Sequence, residues 1–117
     1  MRPSGAFLST VLDLAKWDAA LYTEHFLTRA TREQMWTPVT LNDGSTYPYG
    51  FGWRVEQIQG HRVVHHPGSM PGFRANIARL VDAGVTFIVL MNLDAVDIDS
   101  VIGGLAAIHL PAPAPVR

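Results

Sequence analysis

Two Pro-Gly pairs fall within six residues in the stretch His61–Phe73 (HRVVHHPGSMPGF), and they restrict this chain more than any other feature. Pro67 and Pro71 have no N–H to give a ladder, and Gly68 and Gly72 are costly to order. Such pairs suit places where backbone turns sharply or lies close to something. The stretch begins as a strand with Val63 and Val64 at its centre. It is expected to break at Pro67-Gly68 and to be punctuated again at Pro71-Gly72, before the apolar run FRANIARLV. Three of the five histidines, His61, His65 and His66, also lie here.

On the N-terminal side, Thr10 and Asp13 have the spacing of a capping box, with Asp in place of Glu. Val11, Leu14, Trp17 and Leu21 then recur at helical steps, which predicts an amphipathic helix over roughly Val11 to Leu21 with this face in the core. Trp17 and Leu21 should stack on one side of it. Thr31 to Gln34 reads as a second capping box. It opens a short helix that must stop near Trp36, because the residue before Pro38 disfavours helical geometry. Leu41 to Tyr49, with Asn42-Asp43-Gly44 and Pro48, reads as a loop. Tyr49 to Trp53 (YGFGW) begins an extended run to Ile58, and its glycines suggest a bulge or a close backbone approach. Gln59-Gly60 turns the chain into the His61 strand.

On the C-terminal side, Phe73 to Val81 and Val85 to Asn92 read as partner strands joined by a tight turn at Asp82-Ala83-Gly84. The second is apolar without alternation, so it should be covered on both faces and central. Asp97 to His109 reads as a helix capped near Asp97 or Asp99, and PAPAPVR as an extended tail. Tight turns between successive strands imply an α+β fold: an antiparallel sheet of about four strands, with helices packed on one face. Residues 1–110 form a single domain and residues 111–117 a Pro/Ala-rich tail.

With 117 residues the chain is long enough for one compact domain and too short for two. It can hide ~65% of its extended surface, so no staple is needed. A net charge of −1 with scattered basic residues leaves no electrostatic footprint for nucleic acid. The chain has no cysteine, hence no disulfide, zinc-thiolate site or thiol chemistry, and the compartment stays undecided. The run VTFIVLM is far short of a membrane span, and MRPSGAF lacks the apolar core of a signal peptide.

No serine carries Lys three residues later. The one lysine is Lys16, preceded at that distance by Asp13, and no G-x-S-x-G elbow occurs. A Ser-His-Asp set could be drawn from Ser69, His65 or His66, and Asp82 or Asp94, but sequence proximity does not place a triad. His61, His65 and His66 invite a metal reading. In an extended segment His61 and His65 share one side and His66 the other, and without a carboxylate ligand signal no metal site is expected. The plainer reading makes His61 and His65 half-exposed strand residues, and both Pro-Gly pairs simple turn chemistry.

Several stretches together resemble the C-terminal part of the penicillin-recognising serine hydrolases, the superfamily of class C beta-lactamases, D-alanyl-D-alanine peptidases and related esterases. Ser9 to Trp17 (STVLDLAKW) is similar to the helix that opens their last third. Tyr49 to Trp53 is similar to their YGxGW strand. His66 to Phe73 (HPGSMPGF) resembles their HxGxxPGF stretch, in which His stands where other members have the Lys of Lys-Thr-Gly. Phe87 to Leu93 (FIVLMNL) resembles the central strand that follows. The matches run in order from Gly5 to His109.

That resemblance implies a partial beta-lactamase-like fold and amide or ester hydrolysis without a cofactor in the full-length family. It implies that His66 helps polarise the site or holds a substrate carboxylate. The backbone N–H of Ser69 would be one oxyanion donor, and Gly68 would let substrate approach the strand edge. It also marks what this sequence lacks. Neither Ser-x-x-Lys nor a Tyr-x-Asn or Ser-x-Asn pattern occurs, and Pro67 stands where many members carry Thr, Ser or Gly. The chain is therefore expected to be a piece of such a hydrolase, inactive alone, with small acyl, ester or beta-lactam substrates in the full-length protein. A second reading is a non-catalytic interaction module, self-associating or pairing with a complementary chain through an exposed sheet edge.

Overall fold

The computed structural model describes residues 5–110, so the expected Pro/Ala-rich tail at 111–117 lies outside the described residues. Thr10 caps the first helix, α1 (Val11–Leu21), by accepting from the Asp13 N–H at 3.1 Å. The second helix, α2 (Arg29–Met35), starts one turn before the expected box, because Thr28 and not Thr31 is its cap. Thr28 Oγ1 accepts from the Thr31 N–H at 3.2 Å. Trp36 ends this helix, as the following Pro38 requires.

The stretch expected to be a loop, Leu41 to Tyr49, supplies the turn and second strand of a small hairpin, β1 (Val39–Thr40) and β2 (Thr46–Tyr47), turned at Gly44 with φ +84°. Four longer strands follow: β3 (Arg54–Ile58), β4 (His61–Met70), β5 (Phe73–Leu80) and β6 (Val85–Met91). They form an antiparallel sheet in the order β3-β4-β5-β6. The helix α3 (Ile98–His109) comes last, capped by Asp97. This is the expected α+β architecture with a four-stranded antiparallel sheet.

The helices divide between the two faces rather than gathering on one. Successive strand residues point to opposite sides. Val63, Ala78 and Leu80 face α3 and meet Ile102, Ala106 and Leu110 in one core. Val64, with Ile77 and Val55, faces α1 and α2 and meets Leu21, Trp36 and Trp53 in another. On this side Arg79 is fully buried, and its Nε donates to Asp18 Oδ1 of α1 at 2.6 Å. Its guanidinium lies between the rings of Tyr22 and Trp36, 4.5 and 4.8 Å from their centroids. The arrangement shields the charge with aromatic faces. Trp17, expected in the core, is 44% exposed and stacks on Trp53 with ring centroids 5.9 Å apart.

Two further expectations change. Among the described residues β6 is an edge strand, not a central one. Its apolar run reflects cover on both faces: Phe87 and Val89 lie against the α3 core, and Thr86 is bonded to Asp18 of α1. β4 does not break at Pro67-Gly68 but continues to Met70, with Pro67 opposite Asn76. In each two-residue hairpin the closing pair exchanges both backbone hydrogen bonds, and pairs alternate from there. Counting from Ile58↔His61 and from Met70↔Phe73 gives the same answer, that odd-numbered β4 residues aim their N–H toward the β3 side. β3 ends opposite His65. The N–H that Pro67 lacks would therefore have pointed off the sheet, which is where a strand can carry proline.

The expected close approach in YGFGW is at Gly50. A Cβ there would sit 2.1 Å from the Met35 carbonyl oxygen. This contact lets the Phe51 N–H reach the same oxygen at 2.9 Å and satisfy the end of α2.

Candidate functional site

The residues that the sequence singles out lie on the last half of β4. From His66 to Met70 the strand pairs with β5 on one side only, and no strand among the described residues covers its other edge. By the alternation above, the Ser69 N–H points off that open edge. The register also separates the three candidate residues. His66 lies opposite Ile77 on the α1 face, while Pro67 and Ser69 lie opposite Asn76 and Arg74 on the α3 face. Gly68 sits between them, opposite Ala75; a Cβ there would meet the Ala75 Cβ at 3.6 Å, an ordinary contact. Packing inside this chain therefore does not demand glycine at 68.

On the α1 face His66 is exposed and bonded twice. Its Nδ1 is 2.7 Å from the Pro67 carbonyl oxygen and its Nε2 is 2.9 Å from Tyr49 Oη. Tyr49 comes from the loop before β3, and the two rings meet edge to face at 5.9 Å.

On the α3 face a groove of about 500 Å³ runs beside the same backbone. It is lined by Pro67, Gly68 and Ser69, by Arg54 and Arg74, and by Asp94–Asp99, the acidic loop into α3 with the first two residues of that helix. Arg74 Nη1 donates to Ser69 Oγ at 2.5 Å. The acidic loop is tied down by its own bonds. Asp94 Oδ2 accepts from the Gly72 N–H at 3.0 Å, and Asp99 Oδ1 accepts from Asn76 Nδ2 at 2.9 Å. The Gly72 N–H, followed by opposing desolvation and a smaller pull from Arg74, holds the Asp94 carboxyl below its ordinary range. The Ser100 hydroxyl does the same for Asp97. Gly72 has φ +80° after Pro71, the signature of a type II turn, so this bond fixes the β4–β5 turn to the β6–α3 loop.

The other combinations considered from the sequence are not assembled. Ser69 bonds Arg74, not a histidine. Asp82 pairs with His61 at the far end of β4, 3.2 Å from its Nδ1. His65 is buried rather than half-exposed, its Nε2 3.3 Å from a carboxylate oxygen of Glu56. The three histidines are thus not gathered at one point: His61 and His66 are bonded to different residues, and the buried Nε2 of His65 makes no hydrogen bond.

Two participants escaped the sequence reading. Tyr49 stands seventeen positions before His66, so nothing local announces the contact. Arg74 could have been found by counting: with Pro71-Gly72 as a two-residue turn, position 74 falls opposite Ser69.

A family model described as Beta-lactamase matches residues 1–105. Penicillin-binding protein 4* of Bacillus subtilis strain 168 is 38% identical over 89 residues, which is 75% of this chain and 20% of that protein. The D-aminopeptidases of Brucella ovis and Brucella canis are each 29% identical over 110 residues, 88% of this chain and 21% of theirs. The chain thus spans about a fifth of the length of the curated relatives it matches. Among the described residues, no helix is long and apolar enough to cross a membrane.

Proposed function

The chain belongs to the beta-lactamase family, and from that premise we propose that it supplies the substrate-binding edge of a serine hydrolase of amides or esters without supplying the attacking group. The observation that carries this reading is the uncovered edge of β4 from His66 to Met70, with the Ser69 N–H directed off it. A backbone donor on a rigid strand is suited to an oxyanion, because it needs no reorganisation as charge develops. His66 stands at the head of the edge as a polar group for the substrate, and Gly68 keeps the approach clear of side chain. The names of the relatives point to a penicillin or a peptide bearing a D-amino acid as the ligand class. Ser-x-x-Lys is absent from the sequence, so this stretch alone should bind without hydrolysing.

The test has two arms. Purified chain should not turn over a chromogenic cephalosporin or a p-nitrophenyl ester. Benzylpenicillin at millimolar concentration should shift the amide resonances of Gly68, Ser69 and Met70. Turnover that disappears in Ser69→Ala would refute the missing-nucleophile part; unmoved amides along the edge would refute the binding part.

The same open edge supports a second reading, pairing with another strand. An uncovered edge offers unpaired N–H and C=O groups to a neighbouring chain. Met70 and Phe73, at its end, are exposed. Self-association or capture of a complementary chain would then be the chain's role, and light scattering distinguishes it: a monomer at high concentration removes the self-association form.

A further inference from the structure

Tyr49 and His66 join two stretches that the family resemblance names separately, and the contact gives Tyr49 a part that the resemblance does not assign. A carbonyl oxygen can only accept, so the 2.7 Å contact with Pro67 O requires the proton on Nδ1 of His66. In the neutral ring Nε2 is then bare. It accepts the Tyr49 hydroxyl proton across 2.9 Å. We propose that Tyr49 is a positioning residue for His66: its hydroxyl holds the imidazole in the Nδ1–H form and joins it in one hydroxyl–imidazole unit beside the β4 edge. This deepens the reading that His66 belongs to the binding edge, and it rests on that reading for its functional meaning.

The bond changes what His66 can offer a ligand. A neutral imidazole with Nε2 occupied has no free donor for a carboxylate. On protonation both ring nitrogens become donors. Nε2–H then donates to Tyr49 Oη, and the Tyr49 hydroxyl proton is released to point outward. His66 and Tyr49 thus exchange donor and acceptor roles as one unit. The bond count supports a fixed arrangement: both ring nitrogens of an exposed histidine are engaged, and the tyrosine ring meets the imidazole edge to face at 78°. The loop carrying Tyr49 is itself anchored, with the Tyr49 carbonyl accepting from the Val39 N–H at 3.0 Å and Gly50 against the end of α2.

The experiment is the nitrogen spectrum of uniformly ¹⁵N-labelled chain at a pH where the ring is neutral, with His66 assigned by its loss in His66→Gln. His66 should show a protonated Nδ1 and an unprotonated Nε2, the reverse of the tautomer that predominates for histidine in water. Tyr49→Phe should move both resonances toward each other as the Nε2–H form gains population. A wild-type ring in the Nε2–H form overturns the proposal without recourse to any variant, and so does a Tyr49→Phe spectrum in which His66 is unmoved. Neither readout depends on ligand. If the tautomer is as stated but benzylpenicillin leaves the β4 edge untouched, the positioning role stands and the binding reading falls.

Discussion

Strand β4 is two regions in one element. From Val63 to His65 it lies between β3 and β5, and Val63 and Val64 are fully buried on its two faces. From His66 to Met70 it has, among the described residues, a neighbouring strand on one side only, and four of the five residues are exposed. The two arginines of β5 repeat the contrast. Arg79, opposite Val64, is buried and bonded to Asp18; Arg74, opposite Ser69, is partly exposed and bonded to a serine on the open half. One half holds the sheet in place. The other half is held by it and left free to meet something else. A strand organised this way can keep a backbone donor at a fixed position without any loop closing over it.

The contrast predicts where substitutions hurt. The largest effect is expected from Asp18→Ala, which leaves Arg79 as a buried cation without its carboxylate. Breaking one member of such a pair costs about 3–5 kcal/mol, so chemical denaturation should show the midpoint falling far or the chain failing to fold. A loss under about 1 kcal/mol would mean that the flanking rings of Tyr22 and Trp36 carry the guanidinium by themselves. Next comes Val63→Ala, which opens a cavity between the sheet and α3 and should cost about 2 kcal/mol. The same measurement on Met70→Ala, at the open end, should fall within about 0.5 kcal/mol of the parent chain. Equal losses at 63 and 70 would erase the distinction between the halves.

Gly68→Ala sharpens the comparison from the other side. Its new methyl would meet Ala75 at ordinary van der Waals distance, so stability should change by no more than about 0.5 kcal/mol. Ligand approach to the edge should suffer instead. The expected result is an unchanged denaturation curve together with loss of the benzylpenicillin-induced shifts at Ser69. A variant that keeps those shifts would show that glycine at 68 does not serve the ligand.

What could be read from the sequence follows the range of the forces involved. α1 and the Asp97 cap of α3 were legible because caps and helical periodicity act within a few residues. The YGFGW close approach was legible as glycine, though its counterpart, the Met35 carbonyl, was not. The cap of α2 was misplaced because Thr28 and Thr31 have equal claims locally, and only the backbone path chooses. Pro67 was read as a break because a sequence does not say which edge of a strand is empty. β6 was read as central because cover by helices on both faces gives the same apolar run as burial between strands. Arg79 was missed altogether: its partner Asp18 is sixty-one positions away. Within the candidate site, the sequence singles out His66, Gly68 and Ser69 but not their division between two faces, since that needs the register.

The smallest expected effect concerns the tip that ends the open half. The Gly72 N–H stabilises the charged form of Asp94 and holds its carboxyl below the usual 3.8. A carboxylate whose folded pKa is depressed contributes stability above its unfolded pKa and loses it as pH falls through the folded value. The tether between the Pro71-Gly72 turn and the β6–α3 loop should therefore be intact at pH 5 and weaken below about pH 4. Asp94 is fully exposed, so solvent screens the bond and global unfolding should barely register it. The sensitive reading is local. Amide exchange at Gly72 should quicken on acidification after correction for the intrinsic rate, while amides of Val63 and Val64 keep their protection. In Asp94→Asn the neutral amide accepts more weakly, so Gly72 should exchange faster at pH 5 and lose the acid-dependent change. If Gly72 protection is flat with pH in the parent chain, the turn is held by β4–β5 pairing alone, and the open half is as self-sufficient at its tip as the covered half is at its core.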